Sequence, residues 1–296
     1  MFKSGFVSII GRPNVGKSTL LNTFIGQKIA IISDKPQTTR NNIRGIYNDS
    51  ESQIIFVDTP GIHKPKHKLG KYLNRQAYYS IDDVDVILLV VDASEKLGTG
   101  DKYVINKLKS IDKPVILVLN KIDRISKNDI ILKINEYKEL YNFVEIVPIS
   151  ALTNDNVERL IAVIKDYLKD TIKYFDDDTK VTTISNEFVI SELIREKVLE
   201  LTEEEVPHSV TCVIERIEDK EKIVKIDALI IVDRDNLKKI IIGKRGSMLK
   251  EIGIRVRTDI EKLLNKKVYL ALHVKTIKKW RDREKYLAEF GFNKIE

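Results

Sequence analysis

Eight consecutive residues constrain this chain more than any other feature: Gly11-Arg12-Pro13-Asn14-Val15-Gly16-Lys17-Ser18, with Thr19 behind them. They follow an apolar run at residues 6–11 and lead into helix-compatible sequence at residues 17–24. Paired glycines let a backbone wrap around phosphate, so that amide N–H groups and a helix N-terminus face the negative charge. Lys17 is then placed to reach the β- and γ-phosphates of a nucleotide, and the Ser18 hydroxyl to ligate Mg2+. A chance glycine turn has no reason to fall between a strand and a helix.

The residues that follow repeat one pattern. Apolar, β-branched stretches at 54–57, 84–91, 115–119 and 145–149 alternate with helical periodicity at 70–80, 101–109, 129–140 and 157–168. Such alternation predicts an α/β domain with a doubly wound, mostly parallel sheet, which binds its ligands at the carboxyl ends of the strands. Three further motifs fall at those ends. Asp58-Thr59-Pro60-Gly61 offers a carboxylate for Mg2+ and a glycine amide for a γ-phosphate. Asn120-Lys121-Ile122-Asp123 offers a carboxylate able to accept from guanine N1 and N2; adenine lacks that donor pair, so GTP is selected over ATP. Ser150-Ala151-Leu152 supplies a backbone amide where guanine O6 would lie. An Asp-x-x-Gly alone is a common turn, but four motifs in this order define a GTP site. Lys17 and Gly61, with a threonine of the polar stretch Ser33-Asp34-Lys35-Pro36-Gln37-Thr38-Thr39-Arg40, are the candidate catalytic residues. That threonine would feel both Mg2+ and γ-phosphate, giving an order–disorder switch. Ile62 stands where Ras-like proteins place a water-orienting glutamine, so slow intrinsic hydrolysis is expected.

The periodicity lapses at 173–183, read as a linker between a domain at 1–172 and another at 184–296. Beyond it, a helix at 187–201, alternating stretches at 208–218 and 221–233, helices at 237–242 and 247–264, and a strand at 267–274 make an α-β-β-α-α-β module. A basic helix at 280–290 would end the chain, and His208 and His273 fall in strand patterns. Ile242-Gly243-Lys244-Arg245-Gly246 places a Gly-x-x-Gly between two helices, where glycines admit a nucleic acid backbone and the two cations meet its phosphates. With that element order the module reads as an α+β KH domain of the α-first, type II variety. Residues 234–296 hold 18 Lys and Arg against 8 Asp and Glu, although the whole chain is only +7. That asymmetry fits a polyanion bound at one end and equally a solvated lysine-rich surface.

The whole chain resembles the Era family of bacterial GTPases. The resemblance rests on Gly11–Ser18, Gln37-Thr38-Thr39-Arg40, Asp58–Gly61, Asn120–Asp123, Ser150–Leu152, Ile194-Arg195-Glu196-Lys197 and Ile242–Gly246. It implies Ser18, Thr39 and Asp58 as metal ligands, Thr39 being preferred to Thr38 by the family motif ending Thr-Thr-Arg. It also implies K+ near Asn14, as in some relatives of this class. The implied partners are the 3′ end of 16S rRNA and the 30S subunit, with peripheral association at the inner membrane, in a monomer.

Apolar residues at 43% and charged residues at 32% describe a globular chain. No apolar run approaches the ~18 residues of a membrane span, and no secretory pattern opens the chain, so a cytoplasmic location is expected. Two rivals carry less. GTP-driven tRNA modification would need a further catalytic centre, and Cys212, in an alternating apolar stretch, is a poor one. A membrane signalling switch would rest only on the basic, weakly apolar 278–285 segment.

Overall fold

The computed structural model describes residues 2–33, 35, 38–62, 65, 67–176 and 185–292. The chain forms two compact units. The first comprises Met1–Ala30, Thr39–Pro65 and Leu73–Thr183; the second comprises Ile31–Thr38, Lys66–Tyr72 and Ile184–Glu296.

In chain order the first part runs β1 (Lys3–Ile10), α1 (Lys17–Ile25), β2 (Ile43–Asn48), β3 (Ser52–Asp58), α2 (Lys68–Asp82), β4 (Val86–Asp92), α3 (Thr99–Leu108), β5 (Val115–Asn120), α4 (Lys127–Lys138), β6 (Glu145–Pro148), α5 (Val157–Asp166) and β7 (Lys169–Asp170). The sheet order is β2-β3-β1-β4-β5-β6. Its four inner pairings are parallel, while β2 runs antiparallel to β3 and β7 antiparallel to β1. Every residue of β4 is buried, as expected of a parallel strand covered on both faces. Strand order reverses at β1, so the crevice outside its carboxyl end is the ligand position.

The antiparallel strand β2 has no counterpart in the sequence reading. Its burial pattern does not alternate, and Gly45 lies within it because a Cβ there would come 2.8 Å from Ile25 Cγ1. The stretch after α5 is tied to the first unit. Ser4 Oγ donates to the Ile172 carbonyl, and the N–H groups of Tyr174 and Phe175 donate to Gln53 Oε1. The rest of the expected linker, from 177 on, lies outside the described residues.

The second unit contains α6 (Asn186–Leu201), α7 (Val206–Ser209), β8 (Thr211–Asp219), β9 (Ile223–Val232), α8 (Asp235–Ile242), α9 (Ser247–Leu264), β10 (Lys267–Thr276) and α10 (Glu284–Glu289). Its sheet has the order β10-β9-β8, with β9 parallel to β10 and antiparallel to β8. Val224, Ile226, Ala228, Ile230 and Val232 share one face of β9. They pack with Ile252, Val256 and Ile260, spaced four apart on α9, and with Ile190, Ile194 and Val198 on α6. Each such buried aliphatic side chain contributes about 1.5–3 kcal/mol.

Two expectations are corrected here. His208 lies in α7, not in a strand, because Pro207 favours the first turn of a helix. The terminal segment is not one basic helix. Trp280 is fully buried and its Nε1 donates to the Ser209 carbonyl at 2.9 Å, so a 3-10 turn at Trp280–Asp282 precedes the short α10. Within this unit Lys68, the first residue of α2, donates its N–H to Asp282 Oδ1 at 3.2 Å, and the Tyr72 ring meets Phe292 edge-on. A carboxylate thereby caps the α2 N-terminus.

Candidate functional site: a phosphate-binding loop and a basic glycine loop

The loop after β1 turns by positive φ at Gly11 (151°), Asn14 (66°) and Gly16 (98°). At Gly16 a Cβ would also come 2.2 Å from Asn120 Nδ2, so the position tolerates only glycine. Gly16 ends the loop as the N-cap of α1, whose first amides therefore face the crevice.

Neighbouring elements hold this loop at each residue. The N–H of Ile62 donates to the Gly11 carbonyl at 3.1 Å. Arg12 turns away toward α3, its Nε on Asp101 at 2.7 Å and a terminal nitrogen on Glu95 at 2.8 Å. Pro13 lies against Gly61, where a Cβ would come 2.7 Å from Pro13 N. Lys121 Nζ donates to the Asn14 carbonyl at 2.8 Å and pairs with Asp92 at 2.5 Å. Asp92 was not singled out in the sequence. Burial would raise its carboxyl, but the bonds from Lys121 and Ser94 win and hold it below the usual range. The Val15 carbonyl accepts from Asn120 Nδ2 at 2.8 Å.

Lys17 is buried, and its Nζ donates to the carbonyls of Arg12 (2.8 Å) and Gly11 (3.3 Å). Burial lowers its pKa to about 8, against the opposing pull of Asp58. Asp58, wholly buried at the end of β3, is pushed up by the same desolvation, against Lys17 and the hydroxyls of Ser18 and Thr39. An anion beside Lys17 and a cation beside Asp58 would each reverse the shift.

Ser18 Oγ donates to Asp58 Oδ2 at 2.8 Å, Thr39 Oγ1 donates to it at 3.2 Å, and the two hydroxyls are 2.8 Å apart. Asp58 Oδ1 is buried with no hydrogen-bond partner among the described residues. Three hard oxygen donors and one orphaned carboxylate oxygen are a donor set that suits Mg2+. The structure separates the two threonines: Thr38 Oγ1 donates instead to the Lys35 carbonyl at 2.7 Å. Thr59 Oγ1 donates to the Ile9 carbonyl at 2.9 Å and is fully buried, which fixes the turn into Pro60 and Gly61. Ile62 is 1% exposed, its side chain packed with Ile10, Ala77 and Ile81. The neighbouring His63, which could in principle replace the missing glutamine but reads more readily as a surface-loop histidine, lies outside the described residues.

On the side of the base, Asn120 joins two loops, since its Oδ1 accepts from the Ala151 N–H at 2.9 Å. Lys121 adopts a left-handed φ of 67°, and Ile122 and Asp123 begin a 3-10 turn. The Asp123 carboxylate accepts from Ser150 Oγ at 2.5 Å, which orients it from behind. Leu152 is 73% exposed beside them. Thr19, on the first turn of α1, accepts from Thr23 Oγ1 through its carbonyl.

In the second unit Ile242 ends α8, and Gly243 (φ 72°), Arg245 (53°) and Gly246 (79°) make the turn into α9. A Cβ at Gly243 would come 2.7 Å from that of Met248. Lys244 and Arg245 are exposed at the tip, beside the N-terminal amides of α9. Cations and helix amides in one turn are what a phosphodiester backbone requires.

The sheet, the phosphate loop and the guanine-selecting carboxylate define a P-loop GTPase, and the second unit is a KH domain. Residues 6–121 match a family model described as 50S ribosome-binding GTPase, and residues 205–281 match the KH domain model. The chain belongs to the Era family. A crystal structure of Era in complex with MgGDPNP and nucleotides 1506–1542 of 16S ribosomal RNA is 43% identical, with a TM-score of 0.95, covering 99% of both chains. A variant of Era from Aquifex aeolicus bound to GDP and AlF4− is also 43% identical at a TM-score of 0.95, covering 98% of this chain and 99% of that one.

Proposed function

We propose that this chain is a GTP-hydrolysing switch that binds the 3′ end of 16S rRNA and assists assembly of the 30S subunit. The observation that carries this reading is the pairing of two sites in one chain. Ser18, Thr39 and Asp58 converge beside the phosphate loop, and an exposed Lys244-Arg245 tip stands on a KH glycine loop. The full-length likeness to an Era bound to 16S rRNA supplies the RNA's identity.

The loop amides and Lys17 bind and orient the β- and γ-phosphates, and Asp123 holds guanine by its N1 and N2 hydrogens. Ser18, Thr39 and Asp58 would hold Mg2+, which when bound neutralises phosphate charge. Thr39 links that site to the stretch before it, so the presence of the γ-phosphate is felt by residues 33–38. Ile62, buried in the core, cannot orient water, which supports slow intrinsic hydrolysis. K+ would act at the side-chain oxygen of Asn14, beside the phosphates. We also infer a monomer in the cytoplasm, with peripheral contact at the inner face of the membrane made by basic residues of the second unit. Among the described residues no helix is long and apolar enough to cross a membrane. Tax on the rival reading comes from Cys212, which is buried on β8 and offers no centre for tRNA modification.

A titration of the full chain with an oligonucleotide of the 16S rRNA 3′ end, at matched salt, tests the proposal. The native sequence is expected to bind at least tenfold tighter than a scrambled one. Lys244→Glu with Arg245→Glu should abolish that binding and leave GTP affinity unchanged. Equal affinity for native and scrambled RNA would refute the assignment of the partner.

A further inference from the structure

Arg12 is the second residue of the phosphate loop, but its side chain reaches the start of α3 within the same unit. Its Nε donates to Asp101 Oδ1 at 2.7 Å and a terminal nitrogen to Glu95 Oε2 at 2.8 Å. The two contacts are unequal. The Glu95 side chain is 57% exposed, and ion pairs so open to water contribute little. That of Asp101 is 2% exposed, and a carboxylate so deep is costly unless donors meet it. Its other oxygen accepts the Gly98 N–H at 3.0 Å. One oxygen of Asp101 therefore caps α3, while the other holds the phosphate loop.

Gly100 points to the same contact independently. It lies in the first turn of α3, where glycine is less favourable than alanine. Its φ is not positive, so backbone freedom does not explain the residue. Space does: a Cβ there would come 2.5 Å from Arg12 Cδ. The main chain of Arg12, meanwhile, faces the chemistry. Its carbonyl accepts from Lys17 Nζ at 2.8 Å, and two residues on Asn14 holds a left-handed φ of 66°. A loop kept in such a conformation before any ligand arrives must be fixed from outside. Without that support, ordering the loop would subtract from the binding of phosphate.

We propose that Arg12 and Asp101 are positioning residues for the phosphate loop, with Gly100 making room for their contact. The start of α3 presets the loop, so that its amides and Lys17 meet the β-phosphate of a guanine nucleotide without reordering. This rests on the GTPase reading above, which wild-type binding of the same probe tests separately.

The experiment loads the full chain with fluorescent GDP in Mg2+ and follows its release into excess unlabelled GDP. Arg12→Gln and Asp101→Asn each remove one charge of the pair. Each is expected to accelerate release about tenfold, the order of one charge-assisted hydrogen bond. The double variant should also stay near tenfold, because both changes act through one contact. Gly100→Ala, which keeps both charges, should accelerate release too, and Arg12→Lys should recover part of the loss. Ile105→Val trims a buried aliphatic side chain of the same helix and serves as the control for mere destabilisation. It should release GDP within twofold of wild type. Arg12, whose side chain is 22% exposed, keeps the test decisive should Asp101→Asn not fold. The proposal is overturned if Arg12→Gln or Gly100→Ala releases GDP at the wild-type rate. It is equally overturned if the double variant shows the product of the two single effects, or if Ile105→Val accelerates release as much. Wild-type protein that fails to retain GDP at all would instead overturn the GTPase reading.

Discussion

Asn120→Ala should cost the protein more than any other single truncation at the base side of the site, and the structure gives its size. The side chain is 2% exposed. It makes two bonds, donating to the Val15 carbonyl at 2.8 Å and accepting from the Ala151 N–H at 2.9 Å. Alanine satisfies neither, so one buried acceptor and one buried donor lose their partner together. Each orphaned group costs about 1–3 kcal/mol, so the pair costs roughly 2–6 kcal/mol. The loss should be divided between two observables, because Asn120 ties the phosphate loop to the Ser150–Leu152 loop. Urea unfolding would read the part borne by the fold, and a GDP titration at a temperature where the variant is folded would read the rest. A sum below about 1 kcal/mol, less than the loss of even one such bond, would refute the view that Asn120 braces both loops.

Three further outcomes are expected. Asp123→Asn should shift preference from GTP to the xanthosine nucleotide, because an amide complements an oxygen where guanine carries an amine; full retention of GTP preference in a direct titration would exclude Asp123 from the base site. Lys17, lowered to about 8 by burial, should make nucleotide affinity fall as pH rises above that value. Phosphate favours its charged form, so binding there must take up a proton. The same lowered value makes the nucleotide-free protein gain stability as pH rises from about 8 toward the ordinary lysine range, since the unfolded chain binds the extra proton. A flat GDP affinity from pH 7 to 10 would rule this out, and Lys17→Arg should remove the dependence. Ile62→Ala should lower stability by about 2–5 kcal/mol as a cavity in the core, while turnover of the folded fraction changes far less than nucleotide binding does in Lys17→Ala. A hundredfold loss of turnover with binding intact would contradict that.

The nucleotide motifs were legible because each is a short run in which spacing and chemistry coincide. Gly11–Ser18 needs no distant residue to declare a phosphate loop, and a strand ending in Asn120-Lys121-Ile122-Asp123 declares its base. The parallel strands were equally plain, being short apolar runs separated by helical periods. Strand β2 was not, because it keeps a glycine and an irregular burial pattern to fit against α1. Pro207 decided the fate of His208 locally, but its effect is outweighed in a pattern reading by the alternation that follows it. The terminal helix was broken by a single buried indole whose partner, Ser209, lies 71 residues earlier. Arg195 shows the limit most clearly. It could be seen as part of a family motif on a helix, with Glu192 one turn away as a local acceptor, yet its other acceptor, the Thr38 carbonyl, is 157 residues away and leaves no trace in local spacing.

The second unit is discontinuous along the chain, since it takes Ile31–Thr38 and Lys66–Tyr72 from the first quarter of the sequence. Protein synthesis therefore delivers these two segments long before what they bind. At roughly 5–20 residues per second, Asp282 follows Lys68 out of the ribosome by roughly 10–40 seconds. During that interval the nascent chain already carries a complete phosphate loop and an α2 N-terminus without its carboxylate cap. The apolar side chain of Ile31 is exposed for the same time. A newborn molecule would meet cellular GTP before the second unit exists to take up Ile31–Thr38, so the order of translation separates completion of the nucleotide site from completion of the unit that follows it.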